Sequence, residues 1–322
     1  MNLVYCLIMR ILVTGGAGFI GSQLIRDLCI NNHEVSIIDS LDSNLYSSEL
    51  KRSRINNLSS EFEFEFFSMD INDDLEFLLR KNFEYVVNLA ALPGQALSWS
   101  HLPIYTKSNF LGVDNILKSL VAIDKIPFLQ ISTSSVYGKI ASGDEDESLQ
   151  PFSPCGVTKR AAEDLIKSYK SNFDLNYTIF RLFSVFGPGQ RPDMAVHKFL
   201  KLIDAGEGVE IFGDGHQSRS MTDVAQVSDA IQKLIGLKSS TKKSSVYNIA
   251  GGNSISVLDL ISICESVVGK SAKLSFVARP AGDQLETRGN TSRAEQELGF
   301  DPDLNIADVV AKQFDSIKTH GL

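Results

Sequence analysis

Cysteine and histidine are sparse in this chain of 322 residues. The four cysteines, Cys6, Cys29, Cys155 and Cys264, include no Cys-x-x-Cys pair. Scattered thiols of this kind indicate free cysteines and a reducing, cytoplasmic compartment. None of the five histidines stands with cysteines or carboxylates at the spacing of metal ligands, so we expect no metal site.

Positive charge is also scarce, because 31 lysines and arginines face 39 aspartates and glutamates, a net charge of −8. This balance disfavours nucleic acid or an anionic membrane as a partner. We find no apolar window long enough to cross a bilayer. The segment 1–8 is apolar but short, and it lacks the basic start and the small-residue cleavage site of a signal peptide. We expect it to be an N-terminal extension.

The first half of the chain alternates short β-rich runs with helical patterns. The predicted strands are Ile11–Thr14, Glu34–Ile38, Phe62–Phe67, Tyr85–Leu89 and Phe128–Ser132. The predicted helices are Phe19–Ile30, Pro103–Ile123 and Pro154–Ser171. Alternation of this kind predicts an α/β fold with a doubly wound parallel sheet.

A glycine-rich turn follows the first predicted strand. Gly15, Gly18 and Gly21 form a G-x-x-G-x-x-G pattern, and Phe19 opens the next helix, whose unpaired N–H groups suit the phosphates of a dinucleotide. Asp39 ends the second strand, 18 residues after Gly21. A carboxylate there accepts hydrogen bonds from a ribose 2′-hydroxyl and repels a 2′-phosphate, which favours NAD over NADP.

The second half of the chain is less regular, since glycine and proline interrupt it repeatedly. We therefore predict an NAD-binding domain of the Rossmann type over 9–180, to which segments around 222–250 return. The remainder of 181–322 is predicted to form mainly a smaller, substrate-binding lobe.

The segment 153–163 resembles the active-site helix of the extended short-chain dehydrogenases/reductases, the NAD-dependent epimerase/dehydratase family that modifies nucleotide sugars. The family pattern there is Tyr-x-x-x-Lys; Lys159 is present, but Cys155 replaces the tyrosine. Other motifs follow in the family's order and are most similar to those of UDP-sugar 4-epimerases, including glucuronate 4-epimerases. The resemblance implies that Thr133 hydrogen-bonds the reacting sugar oxygen and that Lys159 holds the nicotinamide ribose.

The resemblance also implies contacts with the cofactor and with a UDP-sugar. Besides the glycine motif, Phe19, Asp39 and Lys159, it places the cofactor against Ile20, Asp70, Ile71, Leu89, Ala90 and Ala91. It places the substrate against Ser134, Ser135, Ser184, Arg191, Met194, Ala195, Lys198, Arg219, Arg279 and Asp283. Members of the family often dimerise through a helix bundle, so a homodimer is expected.

The two residues after Thr133 discriminate between reactions in this family. Dehydratase relatives carry Asp-Glu there and decarboxylase relatives a Glu, whereas this chain carries Ser134 and Ser135. The prediction is therefore C4 epimerisation of a UDP-sugar through a 4-keto intermediate, with a dehydratase or related lyase as the alternative. The loop 92–100 contains no cation, which favours a neutral hexose or N-acetylhexosamine over a uronate.

Cys155 has three interpretations, which the sequence leaves open. Its thiol could be a replacement acid–base group, since a free thiol has a pKa of about 8.5 and Lys159 could lower it. It could be a small spacer, with proton transfer left to Thr133, solvent or the substrate. It could also mark a lost activity, leaving a protein that binds NAD and a UDP-sugar without turning them over.

Overall fold

The computed structural model describes residues 8–123, 126–237, 245–252 and 254–320, so the predicted extension 1–8 lies almost wholly outside the described residues. The strands are β1 (Arg10–Thr14), β2 (Glu34–Ile38), β3 (Glu65–Phe67), β4 (Tyr85–Asn88), β5 (Phe128–Thr133), β6 (Ile140–Ala141), β7 (Tyr177–Leu182), β8 (Ser184–Phe186), β9 (Gly208–Phe212), β10 (Ser218–Asp223), β11 (Val246–Ile249), β12 (Ser254–Ser256), β13 (Lys273–Val277) and β14 (Glu286–Thr287).

The helices are α1 (Phe19–Ile30), α2 (Ser48–Ser59), α3 (Glu76–Leu79), α4 (Gln95–Ser98), α5 (Leu102–Thr106), α6 (Gly112–Ile123), α7 (Pro154–Phe173), α8 (Ala195–Ala205), α9 (Val224–Gly236), α10 (Val257–Val268), α11 (Ser292–Leu298) and α12 (Ile306–His320). A π-helical turn, Lys107–Leu111, joins α5 to α6, and a 3₁₀ turn, Ser134–Val136, follows β5. One helical stretch from Leu102 to Ile123 thus occupies the region where the sequence predicts a helix.

Parallel strands form the main sheet. In the described part of the chain it has seven strands in the order β11-β7-β5-β4-β1-β2-β3. In the register, Ile11 of β1 lies opposite Val35 of β2 on one side and Tyr85 of β4 on the other. The chain therefore winds outward in both directions from β1 and β4, which confirms the predicted doubly wound α/β fold.

Helices cover both faces of this sheet. Strand residues Ile11 and Val13 point to one face and pack with α1, α2, α9 and α11. Their neighbour Leu12 points to the other face, against α3, α6 and α7. Successive strand side chains alternate between faces, and because both faces are buried, the strands read as continuous apolar runs in the sequence.

The third predicted strand is shorter than expected. It begins at Glu65 rather than Phe62, because the chain is still leaving α2, where the Phe62 N–H donates to Leu58 O at 2.9 Å. Phe62 and Phe64 instead pack, partly buried, against the core beside the sheet. Their apolar character therefore reflects packing in a turn and not strand pairing.

The later elements divide between the sheet and a second core. Strand β11 joins the edge of the main sheet and α9 packs on α1. Much of the remainder forms a five-stranded sheet of β6, β8, β10, β12 and β14 and the parallel pair β9 and β13. Residues of α8, α10 and α12 build a separate apolar core there.

No helix of the described residues is long and apolar enough to cross a membrane. The described histidines, cysteines and acidic residues contain no group of three or more that could hold a metal ion.

Candidate active site

A cleft of about 810 Å³ opens at the carboxyl ends of the sheet strands, beside the point where β1 and β4 diverge. Ligands of open α/β sheets bind at this topological switch point, because the loops that leave neighbouring strands diverge there. Every sequence-predicted site residue except three lines this cleft: the exceptions are Ala195, Arg279 and Asp283.

The glycine turn forms the floor of one end of the cleft. Gly15 has a left-handed backbone with φ of 71°, and a Cβ built there would lie 2.6 Å from the backbone nitrogen of Ala90. The turn therefore packs directly on the chain leaving β4. Gly18 precedes α1 and has no side chain to cap its first N–H groups, and the first turn, from Phe19 to Gly21, lines the cleft. These features fit the diphosphate of a dinucleotide.

Asp39 fixes the glycine turn and the loop after β2. Its carboxylate accepts hydrogen bonds from the Ala17 N–H at 3.0 Å and the Leu41 N–H at 2.8 Å. Burial raises the pKa of Asp39, and these hydrogen bonds oppose that shift. The carboxylate lines the cleft, where it can face the ribose of a dinucleotide.

Replacing Asp39 with alanine is expected to reduce the preference for NADH over NADPH by at least tenfold. The substitution removes the acceptor for the 2′-hydroxyl and the repulsion of a 2′-phosphate. Fluorescence titration of both reduced cofactors measures the ratio of the two dissociation constants. Asp42→Ala is the control, since Asp42 also lines the cleft but pairs with Lys51 at 3.0 Å. An unchanged ratio in Asp39→Ala would contradict this role.

The 3₁₀ turn after β5 presents a group of hydroxyls. Thr133 Oγ1 accepts the Ser135 N–H at 3.2 Å and donates to Ser135 Oγ at 3.2 Å. Helix α7 lies close against this turn, because a Cβ on Gly156 would lie 2.6 Å from the Ser135 carbonyl oxygen. Only glycine permits that approach, which brings Cys155 and Lys159 to the same cleft as Thr133.

Cys155 lies in the first turn of α7 and is 4% exposed. Its Sγ is 3.9 Å from the Leu92 carbonyl oxygen, and it packs with Leu92 and Tyr105 in a small apolar cluster. Burial raises the pKa of the thiol, although Lys159 lowers it in part. Lys159 does lower this pKa in part, as expected from the sequence, but desolvation of the thiolate outweighs the attraction of the ammonium, so the net pKa is raised.

Lys159 is one turn further along α7 and is 6% exposed. Its Nζ donates to the Ile131 carbonyl oxygen at 2.9 Å. The nearby carboxylate of Glu163 is already occupied, since it accepts from Ser132 Oγ at 2.6 Å and from Arg181 Nη2 at 2.7 Å. Burial lowers the pKa of Lys159 to about 8. The amine is thus an unusually acidic lysine that faces the cleft.

Replacing Lys159 with methionine is expected to raise the free energy of unfolding of the cofactor-free protein by about 1–3 kcal/mol at pH 7. The folded pKa of about 8 lies below the ordinary value of 10.5, so protonation favours the unfolded chain. The free energy of unfolding of the wild type therefore rises as the pH increases from about 8 to 10.5, and the stability advantage of Lys159→Met shrinks over the same range. Urea unfolding of both proteins from pH 7 to 10 tests this, and an advantage that does not vary with pH would contradict it.

The wall of the cleft also carries cationic side chains. Arg191, Lys198 and Arg219 line it. Arg219 Nη2 pairs with Asp283 at 2.8 Å, and Arg279 Nε lies 3.8 Å from the same carboxylate, so Arg279 and Asp283 stand behind Arg219 and outside the lining.

Ala195, the remaining exception, is the first residue of α8 and also lies outside the lining, while its neighbour Met194 lines the cleft. The predicted substrate residues thus line the cleft, apart from Ala195 and the supporting pair Arg279 and Asp283.

Two glutamines complete the wall beside Thr133. Gln95 lies in the loop 92–100, which was expected to face the sugar, whereas sequence reasoning missed Gln284. Gln95 Nε2 donates to Ser135 Oγ at 2.9 Å and to Gln284 Oε1 at 3.1 Å. Gln284 Nε2 in turn donates to the Gly138 carbonyl oxygen at 2.6 Å. This chain of hydrogen bonds fixes which atom each amide presents. No local pattern marks Gln284, because its partners are distant in sequence.

Tyr46, in the loop after β2, is a second missed residue of the lining. Arg54 lies over its ring at 5.5 Å and Arg191 at 6.0 Å from the ring centroid. Arg54 also donates to the Gly189 carbonyl oxygen at 2.6 Å. The loop after β2 is therefore joined directly to the segment that carries Arg191.

The sheet, the glycine turn and the presence of Thr133 and Lys159 in one cleft define a dinucleotide-dependent enzyme of the doubly wound class. Residues 11–250 match the model of the NAD dependent epimerase/dehydratase family, and the chain belongs to this family. The predicted family and the predicted cofactor, NAD, are both confirmed.

The chain is 36% identical over 305 residues to a protein of Bacillus subtilis named as an uncharacterized UDP-glucose epimerase, covering 93% of this chain and 95% of that protein. It is 33% identical to a UDP-glucuronate 4-epimerase of Thermodesulfobacterium geofontis, with 92% of each covered. The crystal structure of UDP-glucuronic acid 4-epimerase from Bacillus cereus, in complex with UDP-glucuronic acid and NAD, superposes with a TM-score of 0.91 at 36% identity, covering 96% of this chain and 99% of that chain.

Proposed function

We propose that this protein is an NAD-dependent epimerase that inverts C4 of a UDP-sugar through a 4-keto intermediate. The observation that supports it best is the single cleft that holds the glycine turn, the pair Thr133 and Lys159, and the cations Lys198 and Arg219. The glycine turn suits a dinucleotide, Thr133 and Lys159 suit a reacting sugar hydroxyl, and the cations suit a diphosphate. The relatives named as UDP-glucose and UDP-glucuronate epimerases support the same reaction.

The acidic residues of the cleft argue against the dehydratase alternative. Among the described lining residues, each carboxylate already has a partner: Asp39 has backbone N–H groups, Asp42 has Lys51, Asp70 has Lys107 and Asp193 has Arg191. The positions after Thr133 carry the hydroxyls of Ser134 and Ser135. Elimination of water needs a group that removes a proton and a group that protonates the leaving hydroxyl, and dehydratase relatives carry Asp-Glu at these positions. Transient oxidation at C4 and its reversal on the opposite face need no such acidic pair.

The sugar is proposed to be a neutral hexose or N-acetylhexosamine. The wall beside Thr133 is built from Gln95, Ser135 and Gln284, whose amides and hydroxyl suit sugar hydroxyls. Arg191 is near enough to lower the pKa of the Cys155 thiol in part, but Asp193 holds its guanidinium through two bonds of 2.9 and 2.7 Å. A guanidinium neutralised in this way has little attraction left for a uronate.

Replacing Asp193 with asparagine is expected to raise kcat/KM for UDP-glucuronate relative to UDP-glucose by about tenfold, on the order of one charge-assisted hydrogen bond. The change releases the Arg191 guanidinium, so that it can pair with the sugar carboxylate. Asp204→Asn is a matched control, since Asp204 pairs with Lys270 at 2.8 Å and lies outside the cleft lining. A fall in the ratio would show that Asp193 does not restrain Arg191 in this way.

Proton NMR tests the reaction. The purified protein is incubated with NAD and, separately, with the UDP-linked forms of glucose, N-acetylglucosamine, glucuronate and their C4 epimers. Interconversion of a C4 pair establishes the epimerase, whereas new keto or ene signals would establish a lyase. Conversion of UDP-glucuronate and its C4 epimer alone would contradict the proposal of a neutral sugar but would still support the epimerase function.

A second candidate is a protein that binds NAD and a UDP-sugar without turnover, and the burial of the Cys155 thiol is the observation that favours it. In the same NMR experiment this candidate gives broadened signals of one UDP-sugar and no product. Restoration of turnover by Cys155→Tyr would then show that the missing phenol is the cause.

The protein is also proposed to be a homodimer. Leu102 of α5, Leu111 of the π-helical turn and Val157 of α7 are exposed apolar side chains on neighbouring helices. Exposed apolar surface of this kind is typical of subunit interfaces. Light scattering coupled to size-exclusion chromatography distinguishes a dimer from a monomer of 35.4 kDa.

A further inference from the structure

Two ionisable side chains of α7 reach the cleft beside Thr133, the thiol of Cys155 and the amine of Lys159. Reversible oxidation of a sugar hydroxyl needs a group that removes its proton and later returns it. The structure distinguishes the two candidates by their surroundings.

The thiol is poorly placed for this role. It lies in an apolar cluster with Leu92 and Tyr105, where its Sγ is 3.9 Å from the Leu92 carbonyl oxygen. The Gly94 backbone also hydrogen-bonds the sulfur, but burial has the larger effect on its pKa. Burial raises its pKa, so that it stays protonated at neutral pH. A neutral thiol is a weak base, and the Leu92 carbonyl oxygen that accepts its hydrogen bond is not a group that can take its proton.

The amine of Lys159 has the opposite character. It donates to the Ile131 carbonyl oxygen and forms no ion pair in the described part of the chain. The ionisable groups that act on it are Cys155 and Glu163 of its own helix. Arg181 of β7 binds both oxygens of Glu163, at 3.1 Å to Oε1 and 2.7 Å to Oε2, and so withdraws the carboxylate that would otherwise hold the ammonium.

This arrangement lets the amine exist in both protonation states near neutral pH. With a pKa of about 8, a substantial fraction of the Lys159 side chains is neutral near neutral pH, as a general base requires. The charge of Arg181 behind Glu163 also keeps the pocket from favouring the ammonium. A lysine placed only to hold a ribose would need no such arrangement.

We propose that Lys159, and not Cys155, is the acid–base group of this site, a role that rests on the epimerase function proposed above. The neutral amine takes the proton of the C4 hydroxyl, directly or through one water molecule: the O–H bond breaks and an N–H bond forms. The C4 hydrogen leaves with its electron pair to NAD, which supplies the oxidation. When the keto group is reduced on its other face, the Lys159 ammonium returns the proton to the oxygen.

In this scheme Thr133 hydrogen-bonds the same sugar oxygen and Cys155 is an uncharged spacer. The scheme predicts that kcat rises with pH up to about 8 and then levels, because the base must be neutral to begin the cycle. The same profile is expected in Cys155→Ser, with a loss of rate below tenfold.

The decisive comparison is Lys159→Arg, measured in the full-length protein with NAD and the UDP-sugar that it converts. Arginine keeps the positive charge and the hydrogen-bonding capacity but cannot become neutral. We expect kcat to fall at least 10³-fold while the dissociation constant of NADH changes by less than tenfold. In Lys159→Ala, added primary amines should restore part of the rate, and more basic amines should restore more. Lys167→Arg, an exposed lysine of the same helix, is the matched control.

A second measurement does not depend on turnover. With ¹³C-labelled lysine, the Cε signal of Lys159, assigned by its loss in Lys159→Met, should titrate near pH 8 in the protein and in its NAD complex. Retention of more than a tenth of the activity by Lys159→Arg, or titration above pH 10, would overturn the proposal. So would a 10³-fold loss in Cys155→Ser. Wild-type protein that binds NAD and UDP-sugars and converts none would instead overturn the epimerase function itself, and this role with it.

Discussion

Replacing Arg181 with methionine is expected to lower the free energy of unfolding by about 3–5 kcal/mol, as is usual when one partner of a buried ion pair is removed. Arg181 and Glu163 are 2% and 0% exposed and lie 2.7 Å apart. The guanidinium also donates to Tyr137 Oη at 2.8 Å and to the Glu145 carbonyl oxygen at 2.9 Å. Methionine leaves the buried Glu163 carboxylate without its guanidinium partner. Urea unfolding monitored by circular dichroism measures the loss.

Two further variants separate this explanation from a general intolerance of α7 and β7. Arg160→Met removes an exposed arginine of α7 and should cost less than about 1 kcal/mol, because surface pairs contribute little. In the double variant Arg181→Met with Glu163→Leu, part of the lost stability should return, since no unpaired charge remains buried. A double variant less stable than Arg181→Met alone would contradict the explanation.

Replacing Gly15 with alanine is expected to weaken NAD binding by at least 100-fold. A Cβ there would lie 2.6 Å from the Ala90 nitrogen and 2.8 Å from the Leu89 carbonyl carbon, and both atoms belong to backbone that cannot rotate away. The backbone φ of 71° adds strain of about 1–3 kcal/mol for a residue with a side chain. The turn must shift, and the N–H groups at the start of α1 shift with it. Isothermal titration calorimetry with NAD measures the change.

Gly236→Ala is the matched control. A Cβ at that position meets no atom within 4 Å, and the residue ends α9 at ordinary helical φ. NAD affinity should be unchanged and stability equal or slightly higher, since alanine favours helix. Equal NAD affinity in Gly15→Ala and the wild type would show that the turn tolerates displacement and that the phosphates bind elsewhere.

Much of the first half of the fold was predictable from local pattern alone, although the sequence analysis did not predict helix α2. The prediction for β2, Glu34–Ile38, agrees with the structure, and that for β1 begins one residue late, at Ile11. Strands buried on both faces read as short apolar runs, and α1 follows its glycine turn directly. The prediction for β3 starts too early because apolar residues that pack in a turn look the same as strand residues.

The short strands of the second half carried no such signal. Strand β6 has two residues, and its partner β14, also of two residues, lies far along the chain. Two residues are too few to show a hydrophobic periodicity, so only the packed structure defines these two strands. The same limit applies to the site: Gln95 and Gln284 meet through contacts between distant segments, and no pattern within either segment indicates it.

By itself the sequence determined the class of fold, the dinucleotide turn and the family, and most of the site residues that it predicted line the cleft. Each of these depends on residue types at fixed local spacing, such as the glycines of the first turn and the four-residue step from Cys155 to Lys159. Only the tertiary structure decided the state of the two side chains of α7. Desolvation raises the pKa of the thiol and lowers that of the amine, and the ion pair of Glu163 with Arg181 leaves the amine without a carboxylate partner. Burial and pairing between distant residues set the protonation states of these two side chains, and the local spacing of residues predicts neither effect.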